Sequence, residues 1–138
     1  MNRQPGEERY EVGSEHTVRA FHRMPGMEGI EGELHHHDYR IQFVVSRSEL
    51  ADGMVVDLDL MRRAVEAVLG EIEDRDLDEV RPAGEPAMTV EVLARWLHTR
   101  LETDLTGAGA ATLHVRVWET DTAFGGYSAP IPGGEATS

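Results

Sequence analysis

The stretch of sequence that decides the fold is Leu34-His35-His36-His37-Asp38-Tyr39-Arg40-Ile41-Gln42-Phe43-Val44-Val45-Ser46. Successive side chains of a β-strand point to opposite faces, so the odd-numbered residues of this stretch share one face. That face carries two histidines followed by large apolar side chains: His35, His37, Tyr39, Ile41, Phe43 and Val45. The alternation predicts a half-buried strand with two imidazoles at one end of its buried face.

A second strand is predicted just before this stretch, over residues 10–24. Val18, Ala20 and His22 would fall on one of its faces. Residues 25–33 contain three glycines and a proline and are predicted to form the connection between the two strands.

Two helices are predicted in the middle of the chain. Asp59 is a suitable N-cap for a helix that runs to about Ile72. After an acidic loop that contains Pro82 and Pro86, Thr89 is a suitable N-cap for the second helix. The apolar stripe of this second helix repeats every four residues: Leu93, Leu97, Leu101 and Leu105.

Two further strands, over residues 112–119 and 122–129, complete the order β-β-α-α-β-β. This order predicts an α+β fold in which both helices cover one face of an antiparallel sheet. A four-stranded sheet has two open edges and one uncovered face, so we expect self-association. The predicted domain spans residues 10–129, between flexible tails at 1–9 and 130–138.

Composition limits the functions that this chain can have. Its 138 residues carry a formal net charge of −13, with no cluster of basic residues, which argues against nucleic-acid binding. Cysteine is absent, so disulfides, thiolate metal ligands and a cysteine nucleophile are excluded. With no apolar run that could serve as a signal peptide or membrane span, we expect a cytoplasmic protein with no membrane partner.

Three histidines form a candidate metal site. His35 and His37 share one strand face, and His22 on the neighbouring strand could supply a third imidazole. Three protein ligands with an open fourth position are typical of catalytic rather than structural zinc. Zn²⁺ suits neutral imidazoles best, although iron, cobalt and nickel remain alternatives. If no metal binds, His35 and His37 are either exposed surface residues without a role or half-buried side chains that pack against their neighbours.

The stretch Leu34-His35-His36-His37-Asp38-Tyr39 resembles the L-H-G-H-x-Y motif of the 6-pyruvoyl-tetrahydropterin synthase and 6-carboxytetrahydropterin synthase family. The similarity extends over about residues 10–128. Four other stretches resemble the family's motifs and occur in its order: Phe21-His22, Gly53-Met54-Val55-Val56-Asp57-Leu58, Thr89-Val90-Glu91-Val92-Leu93-Ala94-Arg95-Trp96-Leu97 and Val115-Arg116-Val117-Trp118-Glu119-Thr120.

The resemblance implies a zinc-dependent lyase with the tunnelling fold, assembled as an oligomeric barrel, often a trimer or hexamer. It implies that His22, His35 and His37 bind the zinc. The implied substrate is 7,8-dihydroneopterin triphosphate, whose ring Glu119 would hold through a pair of N–H groups, with Thr89 as a second substrate-binding residue. Folate, tetrahydropterin and deazapurine (queuosine) biosynthesis are the pathways open to such an enzyme.

The sequence departs from the family's pattern at three positions. Glu31 occupies the position of the usual catalytic cysteine, and Asp74 occupies that of the histidine in the proton relay. His36 replaces a glycine and should project to the face opposite the zinc ligands.

Glu31 and Asp74 are the candidate catalytic residues. A subgroup of the family carries glutamate at the cysteine position and releases 6-hydroxymethyl-7,8-dihydropterin, so the resemblance implies that Glu31 is a general base for carbon–carbon cleavage. Otherwise Glu31 is one acid among several in a loop. Two alternatives to a lyase stay open: a pterin- or purine-binding homologue that lacks the activity or uses another substrate, and a non-enzymatic assembly protein.

Overall fold

The computed structural model describes residues 8–23, 34–105 and 111–133. These residues form four strands and two α-helices, in the order β1 (Tyr10–His22), β2 (His35–Arg47), α1 (Leu58–Gly70), α2 (Val90–Asp104), β3 (Thr112–Trp118) and β4 (Phe124–Pro130). The predicted order and the α+β class are confirmed. The connection predicted over residues 25–33 and most of both predicted tails lie outside the described residues.

The four strands form one antiparallel sheet in the order β1-β2-β3-β4. Strands β1 and β2 pair along their whole length, from Tyr10 opposite Arg47 to His22 opposite His35. Because β2 is central and apolar on one face, this register fixes which residues of β1 face the core. The face that was predicted to be buried is buried, with Tyr39, Ile41, Phe43 and Val45 at most 1% exposed.

Helix α1 begins earlier than the sequence predicted, because its N-cap is Asp57 rather than Asp59. Asp57 has an extended backbone, and its carboxylate accepts hydrogen bonds from the backbone N–H groups of Asp59 and Leu60. Asp59 instead lies in the first turn, where it forms an ion pair with Arg62 at 2.6 Å. Two aspartates two residues apart both fit a cap, and only the backbone conformation distinguishes them.

Helix α2 begins as predicted. The hydroxyl oxygen of Thr89 accepts a hydrogen bond from the N–H of Val92 at 3.2 Å. The helix packs against β3 and β4, and its predicted stripe is at most 1% exposed: Leu93, Leu97, Leu101 and Leu105. This packing places the helices on the sheet face that also carries the histidines of β2.

The acidic loop between the helices contains an element that the sequence analysis missed. Residues 74–76 run along the outer edge of β1, where Asp74 N–H donates to the Arg19 carbonyl at 2.7 Å and Phe21 N–H donates to the Arg75 carbonyl at 2.8 Å. A short 3₁₀ helix, Leu77–Val80, follows. The loop therefore closes one edge of the sheet beside the end of β1.

Within the described part of the chain, none of the helices has the length and apolar character needed to cross a membrane.

Candidate metal centre

The pairing of β1 with β2 brings three histidines together at one end of the sheet. His22 is the last residue of β1 and lies opposite His35, the first residue of β2, while His37 is two residues further on the same face. One ring nitrogen from each histidine can be chosen so that all three lie within 4.8 Å of one another. The ring centroids are 4.6 Å apart for His22 and His35, and 4.9 Å apart for the other two pairs.

The environment of the cluster favours the neutral form of two of its imidazoles, those of His22 and His37. Burial lowers the pKa of His22 and of His37 below 6.5, and the neighbouring Glu119 carboxylate only partly opposes this. Nε2 of His37 is buried and has no hydrogen-bond partner among the described residues. A buried lone pair that faces two other imidazoles is the condition in which a metal ion satisfies all three nitrogens. The donor set therefore fits a metal ion.

Glu119 joins the cluster from the neighbouring strand. It follows β3 directly and continues the strand face on which Leu113, Val115 and Val117 are buried. Its Oε2 atom lies 3.4 Å from Nε2 of His37 and 4.0 Å from Nε2 of His22. The family resemblance implied that Glu119 binds the substrate ring, and the register of β2 with β3 shows that its carboxylate meets the histidines.

Tyr39 forms the floor of the cluster. Its ring lies edge-on to the rings of His22 and His37, with centroids 6.2 and 5.6 Å away. Burial raises the pKa of the Tyr39 phenol well above its usual value, with Glu119 adding to the effect. Tyr39 therefore stays neutral and closes the inner side of the site.

A further acid near the cluster was missed by the sequence analysis. Asp78, in the 3₁₀ helix, interacts electrostatically with His22 and forms an ion pair with Arg81 at 3.3 Å. No sequence pattern indicated this position, because it depends on the loop that runs along the edge of β1.

Asp74 lies in the same loop, but its side chain is directed away from the three histidines. Its carboxylate, 60% exposed, forms an ion pair at 3.1 Å with Arg19, which sits on the face of β1 opposite His22. A left-handed backbone at Asp74, with φ 59°, turns the chain at this point. His36 also projects to the opposite face, as predicted, and its ring contacts that of Phe21.

The other predicted site residues are placed as follows. Thr89 is held at the start of α2 by its capping hydrogen bond to Val92. Glu31 lies outside the described residues.

Comparison with known proteins matches residues 11–130 to the 6-pyruvoyl tetrahydropterin synthase family. The chain belongs to this family. No curated protein matches the chain significantly.

Solved structures of family members share the fold. The 6-pyruvoyl tetrahydropterin synthase of Caenorhabditis elegans is 18% identical, with a TM-score of 0.70 over 90% of this chain and 98% of its own. The Plasmodium vivax enzyme is 13% identical, with a TM-score of 0.69 over 91% and 100%. The Plasmodium falciparum enzyme is 14% identical, with a TM-score of 0.68 over 89% and 99%. At these identities the likeness shows the fold alone.

Two of the similar structures are variants of the P. vivax enzyme. In them a glutamate described as a catalytic residue is replaced by cysteine or by alanine. At least one 6-pyruvoyl tetrahydropterin synthase thus has a glutamate named as catalytic.

Proposed function

We propose that this protein is a zinc-dependent pterin lyase that acts on 7,8-dihydroneopterin triphosphate or a closely related pterin. The observation that carries the proposal is the convergence of three imidazoles and the Glu119 carboxylate at one point of a 6-pyruvoyl tetrahydropterin synthase fold. Three imidazoles leave the fourth position of a zinc ion open, as in catalytic sites. A reachable carboxylate beside them adds a group that can recognise a substrate.

His22, His35 and His37 would hold the zinc ion. When bound, zinc supplies Lewis-acid chemistry, polarising an oxygen of the pterin side chain. The lowered pKa values of His22, which is buried, and of His37, which is half-buried, suit this role, because a protonated imidazole has no lone pair to donate. Tyr39, which is 1% exposed, would keep water from the inner side of the cluster.

Glu119 would bind the ring of the substrate. Its carboxylate is 33% exposed, so a ligand can reach it, and its two oxygens match a pair of ring N–H groups. The side chain of the same pterin would then extend toward the histidines, because Oε2 of Glu119 is already beside them. Thr89 is proposed as a second contact with the substrate.

Glu31 is proposed as the general base. The catalytic glutamate of the P. vivax enzyme supports a carboxylate in this role, and the absence of cysteine leaves no thiol to replace it. Removal of a side-chain hydroxyl proton by Glu31 would favour carbon–carbon cleavage, in which the outer, phosphorylated fragment leaves as an aldehyde and the carbon left on the ring takes up a proton to give 6-hydroxymethyl-7,8-dihydropterin. Asp74 is proposed as a second proton acceptor, although its exposure and its pairing with Arg19 make it the weaker of the two.

The proposal is tested by metal analysis together with product chromatography after incubation with 7,8-dihydroneopterin triphosphate. We expect about one zinc ion per chain and a new fluorescent pterin. Glu31→Ala should abolish turnover and retain zinc, while Glu49→Ala, at an exposed acid of another loop, should leave both unchanged. Unchanged turnover in Glu31→Ala would remove Glu31 from the mechanism.

A second candidate is a pterin- or purine-binding protein without lyase activity. It is favoured by Asp74, which stands where the family's relay histidine is expected and pairs with Arg19 instead of the cluster. This candidate predicts binding that depends on Glu119, with no product formed.

A further inference from the structure

The carboxylate of Glu119 and the imidazole of His37 are separated by the distance expected of two ligands of one metal ion. Two ligands of a tetrahedral zinc ion lie about 3.3 Å apart when each bond is about 2.0 Å long. The separation between Oε2 of Glu119 and Nε2 of His37 is 3.4 Å, and that between Oε2 and Nε2 of His22 is 4.0 Å. The three histidines each offer one ring nitrogen within 4.8 Å of the other two, and Glu119 approaches two of these three residues.

The contact between Glu119 and His37 is not a hydrogen bond. Nε2 of His37 is buried and unpartnered among the described residues even though a carboxylate oxygen lies 3.4 Å away. A good N–H to carboxylate bond is shorter, about 2.8 Å, and well aligned. A carboxylate oxygen and an imidazole nitrogen at this separation can both bind one metal ion.

The backbone holds Glu119 in this place. Arg40 opposite Trp118 is the last pair of β2 with β3, and Glu119 is the next residue. The turn into β4 is closed by a hydrogen bond from Glu119 N–H to the Ala123 carbonyl at 3.3 Å, and Ala123 N–H donates to the Thr120 hydroxyl at 3.1 Å. The carboxylate is therefore anchored at its backbone, while its 33% exposure leaves the side chain room to rotate.

We propose that Glu119 is an exchangeable fourth ligand of the metal ion, which it releases when a pterin ring binds. The inference rests on the proposed function, in which the same carboxylate accepts the N–H groups of the ring. Because both roles use Oε2, they compete. The Glu119 carboxylate then occupies the fourth position of the metal ion until a pterin ring binds to it. Binding of the ring removes the carboxylate from the metal and frees that position for the substrate side chain.

The first test measures zinc affinity by competition with a chromophoric chelator. Changes to groups that only support metal ligands cost about 10- to 100-fold in affinity, so Glu119→Gln and Glu119→Ala should each weaken zinc binding at least about tenfold. The control is Asp121→Asn, which removes the same charge from an exposed position of the same turn and should match the parent. The visible spectrum of the Co²⁺-substituted protein should change in the Glu119 variants and not in the control. Equal zinc affinity and equal spectra in parent and Glu119 variants would overturn the proposal.

The second test measures how zinc affects binding of the ring alone. The probe is 2-amino-4-oxopteridine, which has the pterin ring without a side chain that could reach the metal. We expect zinc-loaded protein to bind it more weakly than zinc-free protein, and saturating probe to weaken zinc binding by the same factor. Equal or tighter binding by the zinc-loaded form would refute the exchange and leave the proposed function intact. Absence of zinc binding, or absence of probe binding in both forms, would refute the proposed function as well.

Discussion

Thr89 has a structural role that can be separated from its proposed contact with substrate. Its hydroxyl caps α2 by accepting the Val92 N–H. Thr89→Ala should lower the free energy of unfolding by about 1 kcal/mol, because the first turn loses its cap. Urea denaturation measures the change.

Thr89→Ser is the matched control, because it keeps the hydroxyl and removes only the methyl group. Its stability should stay within about 0.5 kcal/mol of the parent. A loss of stability as large as that of Thr89→Ala would show that the hydroxyl is not the stabilising group. Weaker pterin binding by Thr89→Ala, with Thr89→Ser binding as tightly as the parent, would support the proposed contact with substrate.

Strands β2, β3 and β4 are joined on the face away from the helices by His114. Its Nε2 lies 2.9 Å from the Ser46 hydroxyl and its Nδ1 lies 2.9 Å from the Ser128 hydroxyl. Burial, the largest effect, lowers the pKa of His114; Glu11 opposes this, whereas Arg116 and Arg9 add to it. Folding thus favours the neutral imidazole at this junction.

The stability of the sheet should therefore depend on pH. Below about pH 6.5 the unfolded chain binds a proton at His114 more readily than the folded chain does. The free energy of unfolding therefore decreases as the pH decreases. His114→Gln should show a smaller fall between about pH 7.5 and about pH 5.5 than the parent, measured by urea denaturation in a chelator. The pKa values of His22 and His37 are also lowered by folding, so these two residues contribute to the decrease in unfolding free energy in both proteins. An equal fall in the two proteins would contradict the assignment to His114.

The sequence predicted the elements well and their edges less well. Apolar residues that recur every two or every four positions are a local feature of the sequence. They were enough to predict the strands, the apolar stripe of α2, and the shared face of His35 and His37. The N-cap of α1 moved by two residues because capping depends on backbone angles. The placement of Asp78 and the approach of Glu119 to the histidines depend on loop path and strand register, which a single sequence does not encode locally.

At the scale of the whole molecule, an exposed apolar cluster surrounds a cavity of about 570 Å³. Four of the residues that line it are large apolar side chains between 42% and 58% exposed: Tyr10, Leu50, Met54 and Leu58. An exposed cluster of this kind is commonly covered by another protein surface. We expect a second copy of this chain to cover it in the predicted trimer or hexamer.

Leu58→Asp should lower the molecular mass measured by light scattering. An acid at the first position of α1 suits the helix dipole, so the helix should remain folded while the apolar contact is lost. Glu66→Gln, at an exposed position of the same helix, should leave the mass unchanged. A Leu58→Asp protein with the parent's mass would show that this cluster is not the contact between copies.

The strip of loop at residues 74–76, which binds the outer edge of β1, affects how a metal ion would reach the three histidines. His22 is held by β2 on one side, and its neighbour Phe21 is hydrogen-bonded to Arg75 on the other. Folding alone therefore restricts the backbone at His22, so the entropic cost of positioning this histidine is met before any ion is present. We expect a site that is formed in advance, from which the ion can leave and return without unfolding the domain, unlike zinc fingers, in which the metal nucleates the fold.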